Sequence, residues 1–244
     1  MPVPRVILDI AQQASAKFGL RLSRRRPMRD PTELLCLKSK ELGVETVLDV
    51  GANTGQFALD LRRVGWLGRI VSFEPLAAAH GKLTEGARSD PLWVVPPAMA
   101  LGSTATKTEI NVAANSVSSS LLAMESRSTA VEPNTKYTSV EMIDVGTLDD
   151  SIAPEWGGPF ALKLDTQGFE LEVLRGAEKT LPNVRVIATE MSLVSLYKDG
   201  ARFADVFRFL EDRGFTAIAI TEGFADAERN EVLQVDVVFV RKPD

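Results

Sequence analysis

The stretch Val47-Leu48-Asp49-Val50-Gly51-Ala52-Asn53-Thr54-Gly55-Gln56-Phe57 decides the fold. Thr46–Val50 is an apolar run of strand length, and Thr54–Val64 sets Phe57, Leu61 and Val64 on one helical face. Outward from it the rhythm repeats. Arg69–Phe73 reads as a strand, Leu76–Ala87 as a helix and Leu92–Ala100 as a third strand. Further on come the strand Phe160–Leu164, a helix from Phe169 to Thr180, and the strand Val184–Thr189. Helix Ala201–Arg213 carries Phe203, Val206, Phe207 and Leu210 at i, i+3, i+4 and i+7, and Gly214 ends it. Strands separated by such helices imply right-handed crossovers and a mostly parallel sheet.

The rhythm breaks in the middle. Lys107–Val112 and Tyr137–Val145 read as strands flanking the Ser-rich, polar Asn115–Asn134, so a β insertion with a long loop is expected over the working edge of the sheet. The last strands, Phe215–Thr221 and Val232–Val240, are joined by the polar Glu222–Glu231 and read as an antiparallel hairpin. Residues 1–43 form a helical appendage to a body spanning 44–244. In the appendage Ile7, Ile10, Ala14 and Phe18 share a helical face ahead of Arg24–Arg26, and a second helix opens at Pro31 and closes at Gly43.

Composition bounds the chemistry. The chain has 244 residues, 45% apolar and 25% charged, with mean hydropathy near zero, as a soluble globular protein has. No apolar run approaches the roughly 18 residues of a membrane span, and Met1–Leu20 lacks a signal-peptide pattern. Cys36 is alone, which removes a disulfide framework and fits a cytoplasmic setting. His80 is the single histidine, too little for a two-histidine metal clamp or a His-based triad, so chemistry falls to carboxylates, lysine or tyrosine. Residues 1–30 carry a net charge of +5 and the remainder −10, and an acidic body disfavours an extended nucleic-acid footprint. The basic head reads either as a helix lying on an anionic membrane or as a helix packed on the body with its arginines solvated.

The glycine loop sits at the first strand-to-helix turn, where doubly wound sheets bind ligands. Its Gly-x-x-x-Gly spacing differs from the Gly-x-Gly-x-x-Gly of dinucleotide sites, and Asp49 at the strand end would repel a diphosphate while suiting an ammonium group. Glu74, ending the second strand, is placed to accept ribose hydroxyls. A ligand with an ammonium and a free ribose but no phosphate is S-adenosylmethionine.

With these motifs the sequence resembles the FkbM family of S-adenosylmethionine-dependent methyltransferases. Three further stretches carry the likeness: Ala100-Leu101-Gly102, Val145-Gly146-Thr147-Leu148-Asp149-Asp150, and the run from Leu162-Lys163-Leu164-Asp165-Thr166-Gln167-Gly168 to Glu178. The resemblance covers roughly residues 46–195. It implies a Rossmann-like class I fold with a seven-stranded sheet, and O-methylation of hydroxyls on secondary metabolites, polysaccharides or glycolipid sugars. It places Asp49, Gly51, Asn53, Thr54 and Gly55 on the cofactor loop, Glu74 at the ribose, and Leu101 and Gly102 at the adenine.

Asp165 and Glu190 end two later strands at the same crevice. Either could act as general base for a hydroxyl, or the pair could hold Mg²⁺, which prefers oxygen ligands. The plainer alternative is that Asp165 caps the next helix and Glu190 pairs with a base such as Lys163. Glu170, Tyr197, Lys198, Ser118–Ser120, Trp66, Trp93 and Trp156 have structural readings of equal or greater weight. The expected activity is methylation of a deoxysugar hydroxyl in a glycolipid by an enzyme at the inner face of the membrane. A polyketide-type acceptor, an NAD-dependent oxidoreductase and a non-catalytic binding module are the rivals.

Overall fold

The computed structural model describes residues 30–115 and 117–242. The basic amphipathic stretch read before Asp30 lies outside the described residues. In chain order the elements are α1 (Pro31–Glu41), β1 (Thr46–Val50), α2 (Gln56–Arg63), β2 (Arg69–Phe73), α3 (Ala77–Ala87), β3 (Trp93–Val94), β4 (Ala100–Leu101), β5 (Thr106–Ala113), α4 (Ser126–Val131) and β6 (Tyr137–Gly146). The second half holds α5 (Leu148–Ser151), β7 (Phe160–Leu164), α6 (Glu170–Arg175), β8 (Val184–Ser192), α7 (Phe203–Glu211), β9 (Phe215–Glu222), the short pair β10 (Ala225–Asp226) and β11 (Glu231–Val232), and β12 (Gln234–Arg241).

The main sheet has seven strands in the order β3-β2-β1-β7-β8-β12-β9. It is parallel apart from β12, which runs antiparallel to both β8 and β9. Helices cover both faces, so a central strand such as β1 buries all five of its residues, the polar Thr46 and Asp49 included. One face packs Leu48, Val71 and Leu162 against Val173 of α6 and Leu210 of α7. The other packs Val47, Ile70 and Ala161 against Leu35 of α1, Leu61 of α2 and Leu83 of α3. Strands are added outward in one direction from β1 and in the other from β7, and between these two parallel neighbours a crevice opens at their carboxyl ends. Over it stands a second sheet, β4-β6-β5, the expected insertion.

Two expected elements differ. The third strand, read as Leu92–Ala100, is split: Trp93–Val94 joins the main sheet and Ala100–Leu101 joins the insertion. Pro96 and Pro97 lie between and have no N–H to give a ladder. The helix expected to reach Thr180 ends at Arg175. A side chain at Gly176 would strike the Gly102 carbonyl, and the Asp149 carboxylate accepts from the backbone N–H groups of Lys179 and Thr180 at 2.8–3.1 Å, which holds this stretch off the helix.

Candidate active site

Register builds the floor of the site. Asp49 lies opposite Ser72 on β2 and opposite Lys163 on β7, so the three side chains form one row across the sheet. Trp93 Nε1 donates to Ser72 Oγ at 3.0 Å, and that hydroxyl donates to Asp49 Oδ2 at 2.9 Å. Lys163 Nζ is 3.1 Å from Asp49 Oδ1, 2.9 Å from the Gly51 carbonyl and 3.7 Å from Asp165 Oδ2. Burial alone would push the Lys163 ammonium down, but Asp49 and Asp165 outweigh it and hold its pKa above the ordinary value.

The turn after β1 holds Gly51, Asn53 and Gly55 at positive φ. The backbone N–H of Asn53 donates to Glu74 Oε2 at 2.8 Å, and that of Leu76 to Oε1 at 2.9 Å. Each carboxylate oxygen keeps a lone pair. Burial raises the Glu74 pKa, with the two N–H donors opposing.

The turn after β7 carries the second polar centre. Glu170, buried at the start of α6, accepts at Oε1 from the N–H groups of Thr166 and Gly168 at 2.9 and 3.1 Å, so it shapes the turn from behind. Leu164 pairs with Thr189, which brings Asp165 and Glu190 onto the next step of the same two strands, and Asp236 of β12 lies opposite Glu190. Gln167 Nε2 donates to Asp165 Oδ1 at 2.6 Å and reaches Glu190 Oε2 at 3.3 Å. Gln234 donates to the same Glu190 oxygen at 2.7 Å. Burial, then the neighbouring Asp165, Glu170 and Asp236 carboxylates, push Glu190 well above the usual carboxylate range.

A cavity of about 370 Å³ opens over these groups, within the range of small-molecule sites. Of the residues expected at the site, Gly51, Asn53, Glu74, Leu101 and Asp165 line it, together with Lys163, Gln167, Phe73, Leu76, Met99, Ile110, Phe169 and Ser120. Asp49, Thr54, Gly55, Gly102 and Glu190 are not on its wall. Asp49, expected at a ligand ammonium, is fully buried under the floor, where it holds Lys163. Gly55 is required by packing, since a Cβ there would lie 2.8 Å from the Trp93 ring. Gly102 faces a neighbouring shallow cleft with Ser103 and Thr104. Glu190 takes its hydrogen bonds from Gln167 and Gln234, not from Lys163.

The donor set does not fit Mg²⁺. No cluster of three or more His, Cys, Asp or Glu side chains arranged to hold a metal occurs among the described residues. The Gln167 amide, a hydrogen-bond donor, stands between Asp165 and Glu190 where a shared ion would have to sit. Tyr197 is buried and donates to Gln167 Oε1, and Trp66, Trp93 and Trp156 are core residues, so none of the four presents a face to a sugar. Lys163 and Gln167 are the site residues that sequence reasoning did not single out. The signal for Lys163 was a lone charge in a strand otherwise buried on both faces.

The family model described as methyltransferase FkbM domain matches residues 49–217, from Asp49 in β1 to the start of β9. The chain belongs to the FkbM methyltransferase family. Its fold is the Rossmann-like class I methyltransferase fold, with the β insertion and the antiparallel C-terminal pair. No curated protein matches it in sequence. Among solved structures it is similar to the O-methyltransferase TomG from Streptomyces achromogenes, involved in tomaymycin synthesis and solved with S-adenosylmethionine, at 14% identity, with 99% of this chain and 92% of that one covered and a TM-score of 0.49. An O-methyltransferase from Bacillus cereus in complex with S-adenosylhomocysteine shares 14% identity, covering 99% and 93%, with a TM-score of 0.45. An rRNA methylase from Streptococcus thermophilus shares 12%, covering 91% and 100%, with a TM-score of 0.47. In this FkbM chain, no helix among the described residues is long and apolar enough to cross a membrane.

Proposed function

We propose that this FkbM methyltransferase uses S-adenosylmethionine to methylate a hydroxyl oxygen, that of a deoxysugar such as rhamnose or fucose on a glycolipid. The observation that carries the reading is one cavity whose wall carries both Glu74 and Asp165. Glu74 has a lone pair left on each oxygen for a ribose diol, and Phe73, Leu76, Met99, Leu101 and Ile110 offer apolar surface to an adenine. The charged lining residues Asp60, Glu74 and Asp165 outnumber Lys163, so the wall favours a cation over the diphosphate of a dinucleotide. S-adenosylmethionine, when bound, supplies a methyl group on a sulfonium whose leaving group departs neutral. What remains for the protein is to hold an acceptor oxygen in line, at about 3 Å, and to take its proton. Asp165 is the carboxylate on the cavity wall with one oxygen fixed by Gln167 and the other facing Lys163 at 3.7 Å, which suits it to accept that proton.

Calorimetric titration with S-adenosylhomocysteine, with NADH as control, tests the cofactor: binding of NADH alone would overturn the reading. Asp165→Asn tests the base. Turnover of a deoxysugar glycoside should fall by about 100-fold or more while S-adenosylhomocysteine still binds. Undiminished turnover would remove Asp165 from the chemistry. The glycolipid part of the proposal rests on the basic head, which joins the fold at Asp30, two residues from Thr32 on the cavity wall.

A further inference from the structure

Gln167 stands out in the turn after β7. It is a non-glycine residue at φ +55°, followed by Gly168 at φ +95°, so two successive residues adopt the left-handed conformation. A side chain there is tolerated only where the surroundings dictate it, and such positions gather at functional sites. Every polar atom of the Gln167 side chain is engaged. Nε2 faces Asp165 at 2.6 Å and Glu190 at 3.3 Å, and Oε1 accepts from the Tyr197 hydroxyl at 2.5 Å. Tyr197 thereby fixes which end of the amide meets the carboxylates, since a flipped amide would turn an oxygen toward both of them. The Gln167 carbonyl accepts from Ser120 Oγ, 2.8 Å away, on the insertion that covers the cavity.

From this arrangement we infer that Gln167 is a positioning residue for Asp165: its amide aims the carboxylate into the cavity, and its backbone ties that aim to the seating of the insertion. The inference rests on the reading of Asp165 as base. Packing alone does not call for an amide here, whereas a donor between two carboxylates does. Gln167→Glu is the informative variant, because it is nearly isosteric and retains a donor only while protonated. The groups bearing on a carboxyl at this place are Asp165 and Glu170 beside the turn, Glu190 on β8, Asp236 on β12, the Lys163 ammonium on β7, and the phenols of Tyr197 and Tyr137.

Turnover is measured with S-adenosylmethionine and methyl α-L-rhamnopyranoside as acceptor probe, from about pH 5 to pH 9, for wild type, Gln167→Glu and Gln167→Ala. Relative to wild type, kcat of Gln167→Glu should fall about tenfold or more as pH rises, with KM for S-adenosylmethionine unchanged. Gln167→Ala should be slow at every pH. Parallel pH profiles for Gln167→Glu and wild type would overturn the inference. Melting curves of the same proteins need no acceptor. A carboxyl whose folded pKa lies above its unfolded value costs nothing below the unfolded value and destabilises above it, so the Tm gap between Gln167→Glu and wild type should widen with pH. A gap that ignores pH overturns the placement. If wild type leaves the probe unmethylated, the acceptor reading fails by itself, and the melting curves still decide whether residue 167 sits as a donor among the carboxylates, without which the inference falls.

Discussion

Gly51 and Gly43 both have positive φ, yet they answer to different neighbours. A Cβ on Gly51, at φ +76°, would fall inside the contact radius of the Asp165 carbonyl oxygen, whereas Gly43, at φ +67°, has nothing within 4 Å. Gly51→Ala therefore forces β1 and β7 apart beneath the site and should cost roughly 2 kcal/mol or more, with loss of S-adenosylhomocysteine binding. Gly43→Ala should cost about 1 kcal/mol from its backbone alone. Chemical denaturation of the two variants checks the contrast. Asp236 offers a second test at this scale. Burial, then the charges of Asp165 and Asp30, push its carboxyl up to about 6, with Lys163 opposing. Its unfolded pKa is lower, so the folded protein bears a penalty above that value which fades as pH falls through it. Asp236→Asn should raise Tm relative to wild type at pH 8 and lose that advantage near pH 4, which melts at the two pH values would reveal.

At the scale of elements, the row Ser72–Asp49–Lys163 exists only because β2, β1 and β7 are held in one register. Lys163→Met would leave Asp49 charged and buried without its partner, at a cost of about 3–5 kcal/mol. Asp49→Asn combined with Lys163→Met should recover much of that loss in equilibrium unfolding; an additive double variant would show the two side chains uncoupled. The same register explains what the sequence could not disclose. The individual strands are legible because buried parallel strands are mostly apolar and of strand length, and α7 is legible from its 3.6-residue spacing. The glycine turn, Glu74 and Asp165, all readable from their places at strand ends, come together on one cavity wall. Asp49 was assigned to a ligand because nothing local tells that its neighbour will be Lys163, a pairing set by tertiary structure. Nothing local tells, either, that Gly55 lacks room for a side chain because of Trp93. The split of the third strand was written in Pro96 and Pro97, although the apolar run around them was the stronger pattern.

Across the whole molecule, charge is segregated. The head up to Asp30 is positive, the remainder of the chain negative, and the two meet beside the cavity rim at Thr32. A protein lacking residues 1–29 should bind vesicles of phosphatidylglycerol and phosphatidylcholine more weakly than the full chain and keep its affinity for S-adenosylhomocysteine. Equal vesicle binding by both forms in a flotation assay would leave the head without a membrane role. The fold also has a floor and a roof of separate origin. Strand ends supply Glu74 and Asp165, while the insertion supplies Ile110 and Ser120.

The placement of β12 has a bearing on biosynthesis. This strand, late in chain order, lies between β8 and β9, so both of those must wait for it. On the ribosome the parallel half of the sheet can assemble early, but β8 remains an open edge until the segment Gln234–Arg241 has cleared the exit tunnel. Val186, Ile187 and Ala188, all buried in the finished protein, lie along that edge. A chain stalled before Gln234 would carry β9 without a partner and β8 open along one edge, and nascent-chain chaperones would meet it as a client.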